Sequence, residues 1–327
     1  MNIHDFRSNP LPNRIIHALL SATQAHSEVN VLMNEYPENN SLLTQMLVAL
    51  DVFYHLYDDE IDIANVCRAL FIPDKTSMIS RTIETFTNCA TYAKDKTATR
   101  EILTAGDVLK INSALKAAST EPLLFDTISD DYEQLVKPIW LILNDLYAPQ
   151  RQYTLLMETA ITCYRLLMIS ETDPIRLQTL TILFSVVYQN EFIFYGLSRQ
   201  WNLSTDPKID IASLDIVSAL VHILKAFQQM WAYTAILLRV INSKKVELIH
   251  LISEDFSQQV STGIIRVLSE SLCIKKRDAE EKLCLSPKTV AKHLTFLEQK
   301  SILCSIKNWR EVLYFNNVMI DALIKQI

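Results

Sequence analysis

Apolar residues recur along most of the chain at spacings of three and four positions, which place them on one face of an α-helix. The spacing is clear in "LPNRIIHALLSATQ", "LLTQMLVALDVFYHLY", "DYEQLVKPIWLILNDLY", "LLMETAITCYRLLMI", "RLQTLTILFSVVY" and "VSALVHILKAFQQMWAYTAILLRVI". Prolines separate these runs, as expected where helices begin and end: Pro10, Pro12, Pro37, Pro73, Pro122, Pro149, Pro174 and Pro207. The pattern predicts a mostly α protein built from about ten short helices, with few strands.

Residues 257–327 depart from this uniform pattern, because helical and extended stretches alternate there. In order they read as a helix "SQQVSTGIIRVLSESL", an extended "CI", a second helix "KKRDAEEKL", a turn "CLS" and a third helix "PKTVAKHLTFLEQK". The next stretch, "SILCSIKNWREVLYF", reads as two strands around a loop. This order of elements predicts a winged helix-turn-helix domain, whose third helix enters a DNA major groove in many proteins.

The third helix of this domain carries a start signal and two distinct faces. Ser286 is a preferred N-cap residue and Pro287 a preferred first-turn residue. The apolar spacing places Val290, Leu294 and Leu297 toward the core of the domain. The residues that we expect to contact DNA lie on the other face and in the hairpin loop: Ser286, Lys288, Thr289, Lys292 and His293 on the helix, and Lys307, Asn308, Trp309 and Arg310 in the loop.

Charge is distributed unevenly between this domain and the rest of the chain. From Ser257 onward there are 11 Lys and Arg against 7 Asp and Glu, a net charge of +4, whereas the preceding residues have 20 against 30, a net charge of −10. A basic segment in an acidic protein favours nucleic-acid binding. Docking to a protein is the alternative, because a net charge of +4 is modest and winged helices also serve as dimerisation and protein-docking domains.

The shortage of glycine excludes several classes of enzyme. Average usage of about 7% would give a chain of this length roughly twenty glycines. The chain has three, Gly106, Gly196 and Gly263, and no two of them belong to one loop. Phosphate-binding loops need clustered glycines, because their backbone adopts positive φ and approaches the phosphate closely. Walker, Rossmann and kinase-type phosphate loops are therefore excluded.

Four stretches between Leu11 and Ile327 together resemble the bacterial Fic family, in the subgroup with a helical N-terminal region and a C-terminal winged helix. "LPNRIIHALLSATQAHSEVNVLMNEYPENNSLLTQMLVALD" is similar to the opening helices of that family, and "ILTAGDVLKINSALK" to the start of its core. "LLMETAITCYRLLMISETDPI" is similar to the helix that leads into the active loop. "SPKTVAKHLTFLEQKSILCSIKNWREVLYFNNVMIDAL" resembles the terminal winged helix.

The resemblance also implies that the catalytic loop has lost its chemistry. Fic enzymes typically transfer AMP from ATP with a loop His-Pro-Phe-x-Asp/Glu-Gly-Asn-Gly-Arg-x-x-Arg. Here Asp173 replaces the histidine, Pro174 matches, and Ile175 replaces the phenylalanine. Two alignments are possible beyond that point: without a gap, residues 177–181 occupy the metal, glycine and arginine positions, and with a deletion Arg176 matches one arginine. In both, the base, the metal ligand and the anion site are missing, so no catalytic activity, metal or cofactor is expected.

Further observations bear on chemistry and compartment. Asp58-Asp59-Glu60-Ile61-Asp62 matches the DDxxD motif of all-α prenyl-transfer enzymes, but the second metal-binding motif of those enzymes is missing, so we expect an acidic helix end. The six cysteines form no CxxC pair, which favours buried thiols in a reducing compartment. The opening "MNIHDFRSNPLPNR" lacks the apolar core of a signal peptide, and no apolar run is long enough to span a bilayer. A cytoplasmic protein is therefore expected.

The sequence thus predicts a mostly α protein in which a Fic-like helical bundle precedes a winged helix-turn-helix domain. The expected boundaries are an N-terminal helical region at 1–95, a Fic-like core at 96–256 and the winged helix at 257–327. The expected function is that of a transcription regulator that binds double-stranded DNA, as a homodimer, because paired half-sites are usual for such domains. The alternatives are an inert module whose winged helix docks a protein and, ranked last, a residual nucleotidyl (AMP) transferase.

Overall fold

The computed structural model describes residues 10–56, 61–72, 74, 76–99, 101–118, 131–147, 153–169, 176–187, 211–309 and 311–326. Within these ranges the chain forms thirteen α-helices, two short 3₁₀ helices and one three-stranded sheet. The prediction of a mostly α protein is therefore confirmed. None of the helices in these ranges combines the length and the apolar character that are needed to cross a membrane.

Six of the nine described helices before residue 257 follow the predicted runs of apolar residues, whereas those at Ile63–Ala69, Met78–Ala98 and Ala105–Ala118 were not among these runs. The nine helices are α1 Asn13–Glu35, α2 Asn40–Leu56, α3 Ile63–Ala69, α4 Met78–Ala98, α5 Ala105–Ala118, α6 Asp131–Leu146, α7 Leu155–Leu167, α8 Leu177–Val187 and α9 Ile216–Ser253, with 3₁₀ turns at Pro37–Asn39 and Ile211–Ser213. Helix α9 has 38 residues, so the expectation of uniformly short helices is wrong. The reason is local: α9 contains neither proline nor glycine, so no residue in it interrupts the helix.

The chain folds into two compact units. The first, here called the central unit, comprises Met1–Ser27, Tyr54–Leu56 and Lys75–Ala232. The second, here called the terminal unit, comprises Glu28–Phe53, Tyr57–Asp74 and Tyr233–Ile327. The terminal unit therefore combines the predicted winged-helix segment with residues outside it, at 28–53, 57–74 and 233–256.

The last seven elements of the terminal unit have winged-helix topology. They are α10 Gln258–Glu270, β1 Cys273–Lys275, α11 Lys276–Leu283, α12 Pro287–Gln299, β2 Leu303–Asn308, β3 Glu311–Asn316 and α13 Asn317–Ile324. The sheet is antiparallel in the order β1-β3-β2, and Leu313 of β3 lies between Lys275 and Ile306. The helix, strand, helix, turn, helix and hairpin occur in the predicted order, whereas α13 was not predicted.

Residues from the early part of the chain complete the packing of this winged helix. The side-chain Oε1 of Gln45 accepts a hydrogen bond from the Leu272 N–H at 2.9 Å and one from the Ser271 hydroxyl at 3.2 Å. The ring of Phe71 meets that of Phe315 edge to face, with centroids 6.1 Å apart. These contacts belong to the interior of the terminal unit, so the winged helix does not bury its apolar surface alone.

Asn316 joins the end of β3 to both neighbouring helices. Its side chain is fully buried, its Nδ2 donates to the carbonyl of Leu268 at 2.8 Å, and its Oδ1 accepts from the Met319 N–H at 3.2 Å. The second bond caps the first turn of α13. A buried amide with both ends satisfied fixes the register of the strand relative to α10 and α13.

The central unit packs helices α4 to α8 against one another. Phe86 of α4 and Phe184 of α8 are among its largest fully buried side chains. In the same unit, Phe227 and Trp231 of α9 pack ring against ring at 5.9 Å. In α8 and α9, the apolar runs that predicted the helices thus supply buried side chains.

The cysteines agree in part with the expectation of buried thiols. Cys67, Cys89, Cys163 and Cys273 are buried and free. Burial raises the pKa of Cys67 and Cys273 to about 12, which keeps these thiols protonated and unreactive at neutral pH. Cys284 is exposed and Cys304 is half-buried, and both are free.

Candidate nucleic-acid interface

Helix α12 begins with the predicted cap. The Ser286 hydroxyl oxygen accepts from the Thr289 N–H at 3.2 Å, with Pro287 as the first helical residue. Val290, Leu294 and Leu297 are buried, which confirms the predicted core face. The opposite face of the first two turns is therefore directed outward.

Two lysines on this outward face form no ion pair. Lys288 and Lys292 are exposed, one helical turn apart, and neither has a carboxylate partner among the described residues. Exposed, uncompensated ammonium groups at the start of a recognition helix are suited to phosphate oxygens. They also lie at the positive end of the helix macrodipole, which adds to the attraction for an anion.

Most other described cations of the winged helix are neutralised by carboxylates. Arg266 contacts Glu270 at 3.1 Å, and Lys282 contacts the same carboxylate. The remaining pairs are Lys275 with Glu311, Lys276 with Glu280, Arg277 with Glu281 and Lys300 with Asp255. Apart from Lys288 and Lys292, the cations without a partner in the described part of this domain are Lys307 and Lys325. Uncompensated positive charge is thus concentrated on the predicted face.

The wing is shorter than the sequence suggested. Lys307 and Asn308 lie in β2 rather than in a loop, because Asn308 pairs with Glu311 across the hairpin. The connection therefore consists of Trp309 and Arg310, and Arg310 lies outside the described residues. Lys307 is exposed, and Trp309 is 93% exposed. A cation and a large aromatic ring therefore stand together at the wing tip.

Three predicted contact residues are partly engaged within the protein. The ring of His293 meets that of Phe256 edge to face at 4.8 Å, and burial, with a smaller effect of Lys292, lowers the pKa of this histidine. His293 is therefore neutral at pH 7 and acts first as a packing residue. The Thr289 hydroxyl lies 2.8 Å from the Ser286 hydroxyl, so both hydroxyls already have a partner in the cap.

The structure describes only part of the candidate degenerate loop. Asp173, Pro174 and Ile175 lie outside the described residues. The Arg176 N–H donates to Asn112 Oδ1 at 2.9 Å, and the Thr179 hydroxyl donates to the same oxygen at 3.0 Å. The buried amide of Asn112 thus satisfies donors at the start of α8.

Residues 177–181, which the ungapped alignment places at the metal, glycine and arginine positions, belong to helix α8. Gln178 and Thr181 are buried there, and the side-chain amide of Gln178 and the hydroxyl of Thr181 have no hydrogen-bond partner among the residues that the structure describes. Both are neutral side chains without a basic group or a metal-ligating carboxylate. Their arrangement offers no phosphate-binding loop in this part of the central unit.

The acidic run near the end of α2 was the other candidate for metal chemistry. Asp58, Asp59 and Glu60 lie outside the described residues. Asp62 caps α3, since its carboxylate accepts from the Ala64 N–H at 3.1 Å. In the described ranges, His, Cys, Asp and Glu side chains form no group of three that could hold a metal ion.

One concave feature of the terminal unit was not predicted. A cavity of about 400 Å³ lies beside β1 and α11, lined by residues that include Glu38, Gln45, Glu270, Asp278 and Lys282. Its walls come from segments more than 200 residues apart in the sequence, so no local pattern could have revealed it.

No protein-family model matches the chain, and none of the curated proteins matches it in sequence.

Proposed function

We propose that this protein binds double-stranded DNA through its winged helix and acts as a transcription-regulator-like protein. The observation that carries the proposal is the placement of Lys288, Lys292 and Lys307, which are exposed and have no carboxylate partner in the described part of the chain. The other described cations of this domain, apart from Lys325, are ion-paired. Solubility alone does not require unpaired lysines at particular positions. Their location on the recognition helix and the wing therefore supports binding to an anionic partner.

The charge of the whole protein sharpens this argument. The chain has a formal net charge of −6, so DNA is repelled by most of its surface. Binding then depends on a local basic face, because interactions beyond about 8–10 Å are screened at physiological salt. The lysines of α12 would contact phosphates beside the major groove, and Lys307 would contact phosphates near the wing.

The proposal assigns the helical body, residues 1–256, to dimerisation or sensing rather than to catalysis. We expect the body to resemble a Fic core without AMP transfer, because residues 173–181 contain no base, metal ligand or glycine-rich anion site of that family. We also expect the protein to be cytoplasmic. We expect a homodimer, because a single recognition helix reads few base pairs and paired half-sites raise specificity.

A salt titration of the purified protein with duplex DNA tests the proposal. The logarithm of the affinity should fall linearly with the logarithm of the salt concentration, and Lys288→Ala should reduce the slope by about one unit, because one phosphate contact is lost. Lys300→Ala is the matched control: Lys300 follows the other end of the same helix and is paired with Asp255 at 3.4 Å. Its removal should leave the slope unchanged.

Selection of bound sequences from random duplex DNA would then identify the preferred site. If no duplex were bound even at low salt, the winged helix would not be a DNA-binding domain. That result would favour the alternative in which the domain docks a protein.

A further inference from the structure

The wing tip carries the most exposed large apolar side chain in the described part of the chain. Trp309 is 93% exposed, whereas Trp231, in the central unit, is fully buried. An indole ring that packs against nothing contributes nothing to the core. Tryptophan is also among the residues that most often dominate binding interfaces.

The backbone at Trp309 is also unusual. Its φ is 54°, in the left-handed region that glycine, asparagine and aspartate adopt more readily than bulky residues. Two-residue hairpin turns strongly prefer glycine or asparagine at such positions. Both the exposure of the apolar indole ring to water and the positive φ are unfavourable for tryptophan. Its presence at this site therefore points to a functional constraint.

The neighbours of Trp309 favour a nucleic acid as the partner. Lys307 and Val312 face each other across the hairpin, and both are exposed. The tip therefore combines a ring, a small apolar side chain and an uncompensated ammonium group. Bases present flat π-faces to an aromatic ring, and a lysine one step away is suited to the adjacent phosphate.

We propose that Trp309 inserts its indole ring between adjacent base pairs of the bound duplex and opens a base step. Insertion of an apolar side chain between base pairs unstacks them partially and bends the helix axis. This inference rests on the proposed DNA-binding function and adds to it a wedge that acts at the wing. The recognition helix would then select the sequence, and the wing would favour sites with an easily opened step, such as TA or CA.

The test uses the full-length protein and the duplex recovered by selection, with single adenines replaced in turn by 2-aminopurine. Binding of the wild-type protein should raise 2-aminopurine fluorescence at one step, because the base loses its stacking partner. Trp309→Ala should abolish this rise and weaken binding about tenfold or more, whereas Trp309→Phe should retain most of both. The salt dependence of Trp309→Ala should equal that of the wild type, because no charge is removed.

Trp140→Ala is the matched control, since Trp140 is also exposed, at 53%, but belongs to α6. It should change neither fluorescence nor affinity, and circular dichroism should show that all variants are folded. If Trp309→Ala bound the duplex as tightly as the wild type, or if the wild type raised no fluorescence at any position, the wedge would be refuted while DNA binding stood. A wild-type protein that bound no duplex would instead refute the proposed function itself.

Discussion

Asp107 shows how one buried carboxylate can organise its surroundings in the central unit. Its Oδ2 accepts from Lys96 Nζ at 2.6 Å and from the Thr104 N–H at 2.8 Å, and its Oδ1 accepts from the Tyr92 hydroxyl. Burial opposes ionisation, but the bonds from Lys96, Tyr92 and Thr104 outweigh it and hold the pKa of Asp107 well below its usual range. Because the carboxylate is buried and ionised at neutral pH, its partners are needed for stability.

Replacement of Asp107 by asparagine should lower the free energy of unfolding by about 2 kcal/mol at pH 7, since charge-assisted hydrogen bonds are lost. The folded-state pKa is depressed, so the stabilisation is present above the unfolded pKa of about 3.9 and is lost as the pH falls below it. The difference between wild type and Asp107→Asn should therefore shrink between pH 5 and pH 3 in urea unfolding.

Asp95→Asn, a change at an exposed position of α4, the helix that carries Tyr92 and Lys96, serves as the control for Asp107→Asn and should have little effect at either pH. A difference between wild type and Asp107→Asn that stayed constant down to pH 3 would contradict this account of the aspartate.

At the scale of elements, the winged helix was predicted well because its signals are local. The Ser286 cap, Pro287 and the spacing of Val290, Leu294 and Leu297 all lie within a single helix. The length of the wing was overestimated, because the register of β2 with β3 depends on cross-strand pairing that composition does not reveal. Helix α13 was missed because it follows β3 without a loop: its cap Asn316 is also the last residue of the strand.

Substitutions at the cap residue Ser286 can distinguish the stability of α12 from the proposed binding of DNA. Ser286→Ala should destabilise the protein by about 1 kcal/mol, because the Thr289 N–H loses its partner. Ser286→Asp should keep wild-type stability, since aspartate is an equally good cap, but should weaken DNA binding by placing a carboxylate beside Lys288. Thermal melting and the salt titration distinguish the two effects. Equal DNA affinity for Ser286→Asp and wild type would place the DNA away from the start of α12.

At the scale of the whole molecule, the sequence did not reveal that the terminal unit is discontinuous. The hydrogen bond from Leu272 to Gln45 joins residues 227 positions apart, and no periodicity or composition signals such a pairing. The ion pair of Lys245 with Glu38, at 2.6 Å, joins residues 207 positions apart. The identity of local elements could thus be predicted, whereas the assembly of distant ones could not.

The discontinuity predicts that residues 257–327 alone are less stable than the same residues in the full chain. The isolated fragment lacks Gln45 and Phe71, and it exposes the buried face of Phe315. Its melting temperature should be more than about 10 °C lower, because each kcal/mol shifts a small domain by several degrees. The melting temperatures can be measured by circular dichroism for the fragment, the full chain and full-length Gln45→Ala. The melting temperature of Gln45→Ala should lie between those of the fragment and the full chain. A fragment that melted with the full chain would show that the early residues are dispensable.

The Gln45–Leu272 bond also has a consequence for the order of events during synthesis. Translation delivers residues 28–74 before residues 75–232, which make up most of the central unit, and residues 233–327 last. Domains generally begin to fold as they leave the ribosome. The early helices of the terminal unit therefore lack their packing partner, and their apolar surface stays exposed, until the winged helix has been synthesised. Closure over such a separation is slow compared with local helix formation. A nascent chain would thus complete the central unit before the terminal unit, and a chain interrupted before residue 257 would lack the winged helix.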